Sequence, residues 1–506
     1  MVNPEGEVVG FIDIGTNSIH LLISRFDPEY GVTPIFQDKE SVRMGRSLYS
    51  TGRFDQDTIS KASITVTRFA RTSREMGAEK IIAMATCAAR EAFNSSQFIR
   101  ATSRDVDIRV ISGKEEARLI SLGVFGPDGP SEKSLNIDIG GGSTEMTLMD
   151  GRDTLFSDSL EIGAVRFAYS LGIDCNSVVT NSQYARMRRE VRSSSYHAVD
   201  LIRSMGYDRV VGSAGTLVAL AEMCGARRKD GDTSYILRSE LGPLMKEVRS
   251  KDSKERATIP GLGRGRTDII VPGGAIAEEL MDLLGIERMD VSTNGLKQGM
   301  QIDYMISRGH TVFDTRDSAV LALASRCNYD RFHAESVRRN ALSIFDQMRS
   351  LALHNMNDDD RNILASAATL HDIGMMVNYP NHHLISQKII EYSDLQGFTV
   401  DEVRDIALIV GFHHKKFPGP KDPRLSGLSP HDSLRVRMCS MMLKMADVLD
   451  RHRDSTVTDV SMVMDGMCLR MRITSSDDPS MGIWRIEKLR GDFRKLFGVE
   501  ISSEVH

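Results

Sequence analysis

Two aspartates of this 506-residue chain each end an apolar run and open a turn rich in glycine and in hydroxyl or amide side chains. Asp13 starts the segment DIGTNS, and Asp138 starts the segment DIGGGST. A second apolar run follows each turn, which predicts a β-hairpin in both places. Glycine lets backbone N–H groups approach an anion directly, and serine and threonine add donors without negative charge. The two turns are therefore predicted to bind phosphate.

A third segment, VVGSAGT at residues 210–216, has the same composition and strengthens this prediction. An aspartate in such a loop would repel phosphate unless a divalent cation or a water molecule stood between them, so we expect Mg²⁺. The residues predicted to contact phosphate in the three loops are Asp13, Gly15, Thr16, Asn17, Ser18, Gly140, Gly141, Gly142, Ser143, Thr144, Gly215 and Thr216.

The composition is that of a large soluble enzyme. Hydrophobic residues make up 41% of the chain, which is enough for several cores. No run approaches the roughly 20 apolar residues that span a bilayer, and the first residues lack a signal-peptide pattern, so we expect a cytoplasmic protein without a membrane contact. The net charge of −5 argues against broad nucleic-acid binding but allows a local basic groove for a polyanion. Candidate residues for such a groove are Arg43, Arg46, Arg90, Arg166 and the RGR segment at 264–266.

Breaks in the hydrophobic pattern divide the chain into four parts. Two α/β lobes are predicted at residues 1–126 and 127–309, separated by the segment GPDGPSEK. Helical periodicity then predicts an all-α domain at 310–455. Two alternating segments joined by Asp465-Gly466, a helix and a last strand predict a small α+β domain at 456–506.

Six segments of the first 300 residues or so carry a family resemblance. They are GFIDIGTNSIHLLI, LNIDIGGGSTEM, ATCAAREAFN, VISGKEEARLI, VGSAGT and VSTNGLKQGM. Their order and spacing resemble those of the exopolyphosphatase and guanosine pentaphosphate phosphohydrolase family of the actin-like superfamily. The resemblance implies two actin-like, ribonuclease H-like lobes, a helical domain similar to the HD-type domain of longer members, and a homodimer. The chain departs from the family at Lys297-Gln298, where Arg-Glu is common.

The segment VISGKEEARLI contains two neighbouring glutamates with different predicted roles. Ser112 and Glu115 have the spacing of a capping box at a helix start. Glu116 then stays free in the first helical turn, where it could take a proton from water or hold that water. The alternative is that both glutamates merely suit a helix start. By similarity to the family, Glu116 matches the proposed catalytic glutamate.

The resemblance also implies how the site would work. The terminal phosphate would lie between the hairpins, with Mg²⁺ held near Asp138 and Glu145 and the attacking water positioned by Glu116, so that Glu116 and Asp138 are the predicted catalytic residues. Thr86 matches a threonine of the family, and Arg90 matches the arginine that follows that threonine. The resemblance therefore implies that Arg90 binds phosphate. The alternative for Arg90 is a helix cap or an ion pair.

Histidine and aspartate recur in the predicted helical domain in the order His, His-Asp, His, His, Asp, which resembles HD-type metal phosphohydrolases. Imidazole and carboxylate ligands suit Mn²⁺, Fe, Zn²⁺ or Mg²⁺. The alternative is an HD-like scaffold that has lost its function. Helical phase alone allows either His382 or His383 to face the site. The other predicted ligands are His333, His371, Asp372, His413 and Asp447.

The leading functional prediction is an exopolyphosphatase that removes terminal phosphates from inorganic polyphosphate. Its closest alternative, which the motifs do not separate from it, removes the 5′ γ-phosphate of guanosine pentaphosphate. Hydrolysis of nucleotides by a metal in the HD-type domain is a further alternative. An actin-like kinase is disfavoured because VISGKEEARLI is not shared by the kinases of the superfamily. A nucleotide-sensing scaffold would be indicated if the hairpins bound neither metal nor ligand.

Overall fold

The structure is a computed structural model that describes residues 6–27, 31–102, 105–228, 231–308, 315–393, 395, 398–451, 453, 456–478 and 480–505. These residues form two compact units, an amino-terminal unit up to residue 308 and a carboxy-terminal unit from residue 315. The predicted boundaries at residues 309, 310 and 455 lie outside the described residues. No described helix combines the length and the apolar character needed to cross a membrane.

The amino-terminal unit begins with a sheet of five strands. They are β1 (Glu7–Ile14), β2 (Ile19–Asp27), β3 (Gly31–Glu40), β4 (Lys80–Ala85) and β5 (Ile108–Val110). Their order is β3-β2-β1-β4-β5, with β1 antiparallel to β2 and parallel to β4. The hairpin predicted at Asp13 is therefore confirmed. The helices of this lobe are α1 (Gly45–Thr51), α2 (Gln56–Glu75), α3 (Cys87–Glu91), α4 (Ser95–Thr102) and α5 (Gly113–Phe125).

A second sheet repeats this plan with six strands. They are β6 (Ser134–Ile139), β7 (Thr144–Asp150), β8 (Asp153–Leu160), β9 (Arg209–Ser213), β10 (Tyr235–Leu237) and β11 (Arg288–Val291). Their order is β10-β11-β9-β6-β7-β8, and the hairpin predicted at Asp138 is β6–β7. The helices are α6 (Ala164–Ser170), α7 (Asn181–Met205), α8 (Ala214–Gly225), α9 (Arg238–Arg249), α10 (Ser253–Arg256), α11 (Ile270–Leu284) and α12 (Leu296–Ser307).

Helices α5 and α12 pack closely because glycines lie where they meet. A Cβ on Gly299 would stand 1.8 Å from the carbonyl oxygen of Leu119, and a Cβ on Gly123 would stand 2.1 Å from that of Gly295. Any side chain there would force the two backbones apart. The contact fixes the helix that carries Glu116 against α12.

The carboxy-terminal unit is helical at first and ends in a small sheet. Its helices are α13 (Thr315–Arg326), α14 (Arg331–Ser350), α15 (Asp358–Leu370), α16 (His382–Glu391), α17 (Val400–Phe412), α18 (Pro430–Leu449) and α19 (Ser480–Phe497). Its strands are β12 (Val457–Asp465), β13 (Cys468–Ser475) and β14 (Glu500–Val505), in that order in the sheet. The predicted hairpin, helix and last strand after residue 456 are thus confirmed.

One hydrophobic core runs through the whole carboxy-terminal unit. It includes Val337 and Phe345 on α14, Ile473 on β13 and Phe493 on α19. The predicted limit between an all-α and an α+β domain at residues 455 and 456 therefore falls within a single core. The fold class is the predicted one, with two α/β lobes, a helical region and a small α+β region.

Candidate active site

Both predicted phosphate hairpins are closed in the same way. In each turn, the first glycine donates its N–H to the carbonyl of the serine three residues later, at 3.1 Å in the first turn and 3.0 Å in the second. Asp13 pairs with His20 across the first ladder, and Asp138 pairs with Glu145 across the second. Each hairpin therefore presents a loop beside a carboxylate at the end of a strand.

The two turns line one cleft of about 440 Å³. The predicted residues that line it are Asp13, Gly15, Thr16, Asn17, Ser18, Glu116, Asp138, Gly140, Gly141, Gly142, Ser143, Gly215 and Thr216. Arg90, Thr144 and Glu145 are not among the described residues that line it. The buried hydroxyl of Thr144 instead donates to the carbonyl of Ile162 at 2.7 Å, which gives this threonine a structural contact.

The third predicted loop is built differently from the first two. Strand β9 runs directly into α8 at Ala214, whose φ of 67° lies in the left-handed region. A non-glycine residue adopts this conformation at a cost, and such strain is concentrated at functional sites. A Cβ on Gly215 would lie 1.8 Å from Nη2 of Arg266, so a side chain there would displace that guanidinium, which lines the cleft. The segment is thus a strand-to-helix turn that lines the cleft.

Four carboxyl groups gather around the cleft with raised pKa values. Burial raises the pKa of Asp13 and that of Glu116 to about 7, and that of Asp138 to about 6. Burial also raises the pKa of Glu145 well above its usual range, and Glu116 and Asp138 add repulsion. These groups are costly to ionise together unless a cation joins them. Their oxygens are the ligand type that Mg²⁺ prefers, so the residues present fit a divalent cation.

Neutral hydroxyl groups orient two of these carboxylates. The hydroxyl of Ser213 donates to Oδ2 of Asp138 at 2.6 Å and accepts from the amide of Asn136 at 3.2 Å. The hydroxyl of Ser159 donates to Oε1 of Glu145 at 2.7 Å. Each carboxylate is therefore held by a donor that leaves its negative charge uncompensated.

The two neighbouring glutamates of α5 have separate contacts. Ser112 accepts a hydrogen bond from the N–H of Glu115 at 3.2 Å and so caps the helix. The Glu115 carboxylate binds Arg118 through two hydrogen bonds of 2.9 and 3.0 Å. Glu116 is buried and accepts from Nη1 of Arg90 at 3.0 Å. Of the two, only Glu116 lines the cleft. The Glu115 carboxylate binds Arg118 and does not complete the predicted capping box, and Glu116 is paired with Arg90 and not free as predicted.

Arg90 uses its guanidinium within the protein. Its Nη1 also donates to the carbonyl of Ile111 at 2.9 Å. This matches the ion-pair alternative of the sequence analysis, because the guanidinium binds Glu116 and Arg90 is not among the described residues that line the cleft.

The cleft also contains His20 and cationic side chains that no sequence motif marked. The strand ladders place His20 beside Asp13 and Lys39 beside His20, and both basic residues line the cleft. Burial, together with Lys297 and Lys39, lowers the pKa of His20 to about 3, so its ring is neutral. Lys297 and Arg266 line the cleft as well, and only Arg266 had been proposed for an anion groove. The predicted hairpin could have identified His20, because a turn at residues 15–18 places Asp13 and His20 opposite each other on the two strands.

The raised carboxyl pKa values predict how Mg²⁺ changes stability. The unfolded chain loses these protons near pH 4, whereas the folded protein loses those of Asp13 and Glu116 at about pH 7, so without a cation stability falls as pH rises through this window. We expect Mg²⁺ to raise the melting temperature more at about pH 8 than at about pH 5. Scanning calorimetry tests this, with Asp138→Asn as the control that should reduce the difference. An equal Mg²⁺ effect at both pH values would contradict the proposed cation site.

The predicted ligands of the carboxy-terminal unit also come together. The Nε2 atoms of His333 and His371 lie 3.2 Å apart. Oδ2 of Asp372 lies 3.7 and 3.6 Å from these two atoms, and Oδ1 of Asp447 lies 3.7 and 3.8 Å from them. Ligands bound about 2.0–2.2 Å from one ion stand roughly 3–3.6 Å apart. These four atoms, which we call the first metal position, are therefore spaced almost as ligands of one ion.

A second metal position uses the other oxygen of Asp372. Oδ1 lies 3.2 Å from Nε2 of His382 and 3.7 Å from Nε2 of His413. The two imidazole nitrogens are 3.2 Å apart. The structure thus divides the predicted ligand set between two positions that share Asp372, and it adds His382.

Hydrogen bonds fix the tautomers of these four histidines. Each donates its Nδ1–H to an oxygen, which directs Nε2 to a metal position, as is usual for metal-ligating histidine. Burial would lower the pKa of His333, but hydrogen bonds to Asp447 and Asp450 raise it to about 9, so an ion there would displace a proton from its Nε2. The acceptors are Asp450 for His333 (2.8 Å) and the carbonyls of Ala368 for His371 (2.7 Å), Tyr379 for His382 (2.7 Å) and Val410 for His413 (2.6 Å). Burial also lowers the pKa of His413 to about 3, which keeps that ring neutral.

His383 and His414 stand beside the second position. Their ring centroids are 5.1 Å apart, and that of His414 is 4.9 Å from His382, so the three rings could surround an ion. His382 has one lone pair to offer, because its Nδ1 is bonded to Tyr379. An ion among these three rings would compete with the second position for that lone pair. His382, and not His383, is therefore the histidine that faces Asp372.

Comparison with protein families gives two matches. Residues 22–308 match the model of the Ppx/GppA phosphatase family. Residues 315–477 match domain III of the Ppx/GppA phosphatases.

Individual relatives agree with these matches. The chain is 26% identical over 456 residues to a guanosine-5′-triphosphate,3′-diphosphate pyrophosphatase of Photobacterium profundum, covering 89% of this chain and 88% of the relative. An exopolyphosphatase structure from Cytophaga hutchinsonii is similar with a TM-score of 0.54 and 25% identity, over 61% of this chain and all of that one. A Ppx/GppA family member from Aquifex aeolicus has the same fold, with a TM-score of 0.51 and 22% identity over 60% of this chain and all of its own.

Proposed function

This chain belongs to the Ppx/GppA phosphatase family, and from that premise we propose that its amino-terminal unit is an exopolyphosphatase that hydrolyses terminal phosphates from inorganic polyphosphate. The observation that carries the proposal is the position of Glu116. Its buried carboxylate reaches the cleft between two phosphate hairpins and is held by Arg90 at 3.0 Å. Removal of the 5′ γ-phosphate of guanosine pentaphosphate is the alternative, because a relative is named as a guanosine-5′-triphosphate,3′-diphosphate pyrophosphatase.

The backbone of the two turns would hold the terminal phosphate. Glycines at 15 and 140–142 leave N–H groups accessible, and the hydroxyls of Thr16, Ser18 and Ser143 add donors. These groups are in place before the substrate arrives, so they stabilise charge on the phosphoryl oxygens without reorganisation. The basic residues His20, Lys39 and Lys297 would contact further phosphates of the chain.

Glu116 would act on the attacking water. Its pKa of about 7 suits a general base at neutral pH, because the carboxylate is available and still basic enough to take a proton. Water attacks phosphorus, the bond to the bridging oxygen breaks, and the shortened polyphosphate leaves with that oxygen while Glu116 accepts the water proton. Arg90 keeps the carboxylate aimed at the cleft and is a positioning residue.

A divalent cation fits the carboxylates around this cleft. Asp13, Asp138 and Glu145 would hold it, and Mg²⁺ would supply the charge neutralisation that phosphoryl transfer needs. Asp138 and Glu145 are directly opposite each other across the β6–β7 ladder, so Glu145, although it does not line the cleft, lies close enough to share an ion with Asp138.

Phosphate release from two substrates tests the proposal. Long-chain polyphosphate and guanosine pentaphosphate are incubated side by side with and without Mg²⁺, and free phosphate is measured. We expect Mg²⁺-dependent release from polyphosphate, with the larger kcat/KM for that substrate. A larger kcat/KM for guanosine pentaphosphate would favour the alternative, and no release from either would refute both.

A second function is proposed for the carboxy-terminal unit, which resembles an HD-type domain. The observation that favours it is the placement of the two oxygens of Asp372, each of which faces a different pair of imidazoles. Asp372 would hold divalent ions together with His333, His371 and Asp447 on one side and with His382 and His413 on the other, and such ions would supply the Lewis acidity that phosphate ester hydrolysis needs. We therefore propose a metal-dependent nucleotide phosphohydrolase centre that takes Mn²⁺, Fe, Zn²⁺ or Mg²⁺.

Other properties follow from composition and from the family resemblance. We propose a cytoplasmic homodimer that does not bind nucleic acid or membrane. The four-part division at residues 126, 309 and 455 is kept as a proposal about segments of the chain, of which the last two share one core.

A further inference from the structure

Arg453 is bound directly to the carboxylate that the two metal positions share. Its Nη2 donates to Oδ2 of Asp372, the oxygen that faces His333 and His371. Its Nη1 donates to Oδ2 of Asp330 at 3.2 Å. The guanidinium thus binds two aspartates at once. One of the two oxygens that it binds, Oδ2 of Asp372, belongs to the first metal position.

Asp330 also holds the helix that brings His333 to the cluster. It precedes α14, and its Oδ1 accepts from the N–H of His333 at 3.2 Å, which caps the helix. One carboxylate therefore anchors both a ligand-bearing helix and Arg453. The arginine does not depend on Asp372 alone for its position, and it keeps a partner when Asp372 is engaged elsewhere.

The guanidinium and a metal ion would compete for the same charge. A cation at the first position draws on Oδ2 of Asp372, which already accepts from Arg453. A carboxylate oxygen can accept a hydrogen bond and bind a metal at once, but the guanidinium and the ion are both positive and would repel each other there, and an arginine cannot relieve that repulsion by losing its proton. Its side chain is 30% exposed, so rotation about its side-chain bonds gives it a route to solvent.

We propose that Arg453 is a displaceable counter-ion that closes the first metal position and sets the metal concentration at which this position fills. The proposal rests on the metal centre proposed above. While metal is scarce, Arg453 balances the charge of Asp372. When the ion binds, Arg453 swings away and stays paired with Asp330.

Metal binding to the full-length protein tests this proposal without an activity assay. Metal-free wild type and Arg453→Gln are titrated with Mn²⁺ by calorimetry, after circular dichroism has shown that both are folded. We expect Arg453→Gln to bind its first Mn²⁺ roughly tenfold more tightly, the effect of removing a partly exposed ion pair that competes for the ligand. Arg453→Lys should fall between the two, because an ammonium is a point charge that cannot fork between two carboxylates.

Arg349→Gln is the matched control. Arg349 lies on α14, the helix that carries His333, but it pairs with Asp346 and Asp358, so its removal changes the charge without touching the cluster. Its Mn²⁺ affinity should equal that of the wild type. Unchanged or weaker Mn²⁺ binding by Arg453→Gln would overturn the proposal and would show that the arginine supports Asp372 as an outer partner. If the wild type and every variant fail to bind Mn²⁺, the metal centre itself is refuted and this proposal falls with it.

Discussion

Glu116→Gln is expected to lower the turnover of phosphate release by roughly 100-fold or more, the contribution typical of a general base. Glutamine has nearly the same size and can still accept the hydrogen bond from Arg90, but it can neither carry the charge nor take a proton from water. The fold should remain intact, because the change removes a carboxyl group whose burial opposes ionisation. Steady-state kinetics with polyphosphate measure the loss, and circular dichroism checks the fold.

Glu115→Gln provides the matched control one residue away. The carboxylate of Glu115 pairs with Arg118 and does not line the cleft, so turnover should stay within a few-fold of the wild type. The pH profile adds a second test, because wild-type turnover should rise as pH passes about 7 and Glu116 loses its proton. A variant Glu115→Gln that loses turnover while Glu116→Gln keeps it would show that the two roles are reversed.

The double change His371→Ala with Asp372→Ala is expected to abolish metal binding by the carboxy-terminal unit. It removes two of four ligand atoms at the first position and the shared carboxylate of the second. Mass spectrometry of protein reconstituted with Mn²⁺ or Zn²⁺ and then dialysed measures the bound metal. Asp372→Asn is a milder variant of nearly equal volume, which keeps the test valid if the buried cavity of the double change impairs folding.

Two further measurements serve as controls for the double change. His431→Ala removes an exposed histidine of α18 that is 80% accessible, and it should leave the metal content unchanged. Polyphosphate hydrolysis should largely survive the double change, because that chemistry is assigned to the amino-terminal unit. Loss of polyphosphate hydrolysis by a folded double variant would show that the carboxy-terminal unit takes part in the main reaction. Retention of metal would show that the cluster does not depend on these ligands.

Features that depend on neighbouring residues could be predicted from the sequence. An apolar run, an aspartate and a glycine-rich turn define a hairpin locally, so β1–β2 and β6–β7 were found with their carboxylates. The separation of Glu115 from Glu116 also follows from local helix capping. The order of the histidines and aspartates along the chain predicted the metal cluster, because few roles other than metal binding use these residue types together.

Contacts between residues that lie far apart in the sequence could not be predicted with the same precision. Lys39 joins the cleft through the β2–β3 ladder, and Arg90 meets Glu116 from an element 26 residues away. The VVGSAGT segment meets the guanidinium of Arg266 at Gly215, a contact that no local pattern contains. The choice between His382 and His383 likewise depended on where Asp372 lies, since helix periodicity treats adjacent residues almost alike.

The single core of the carboxy-terminal unit has a consequence for how this part of the chain can be inherited or engineered. Strand β12 packs against α14, which carries His333, and α19 packs against α18, which carries Asp447, so the sheet and the last helix cover surface that the helical region alone would leave open to water. A fragment cut after the helical region would expose that surface and lose the rigidity that aligns the ligands. We therefore expect that this unit can be transferred between proteins only as a whole, with its sheet. A recombination point inside it would expose apolar surface, and the resulting chain should aggregate.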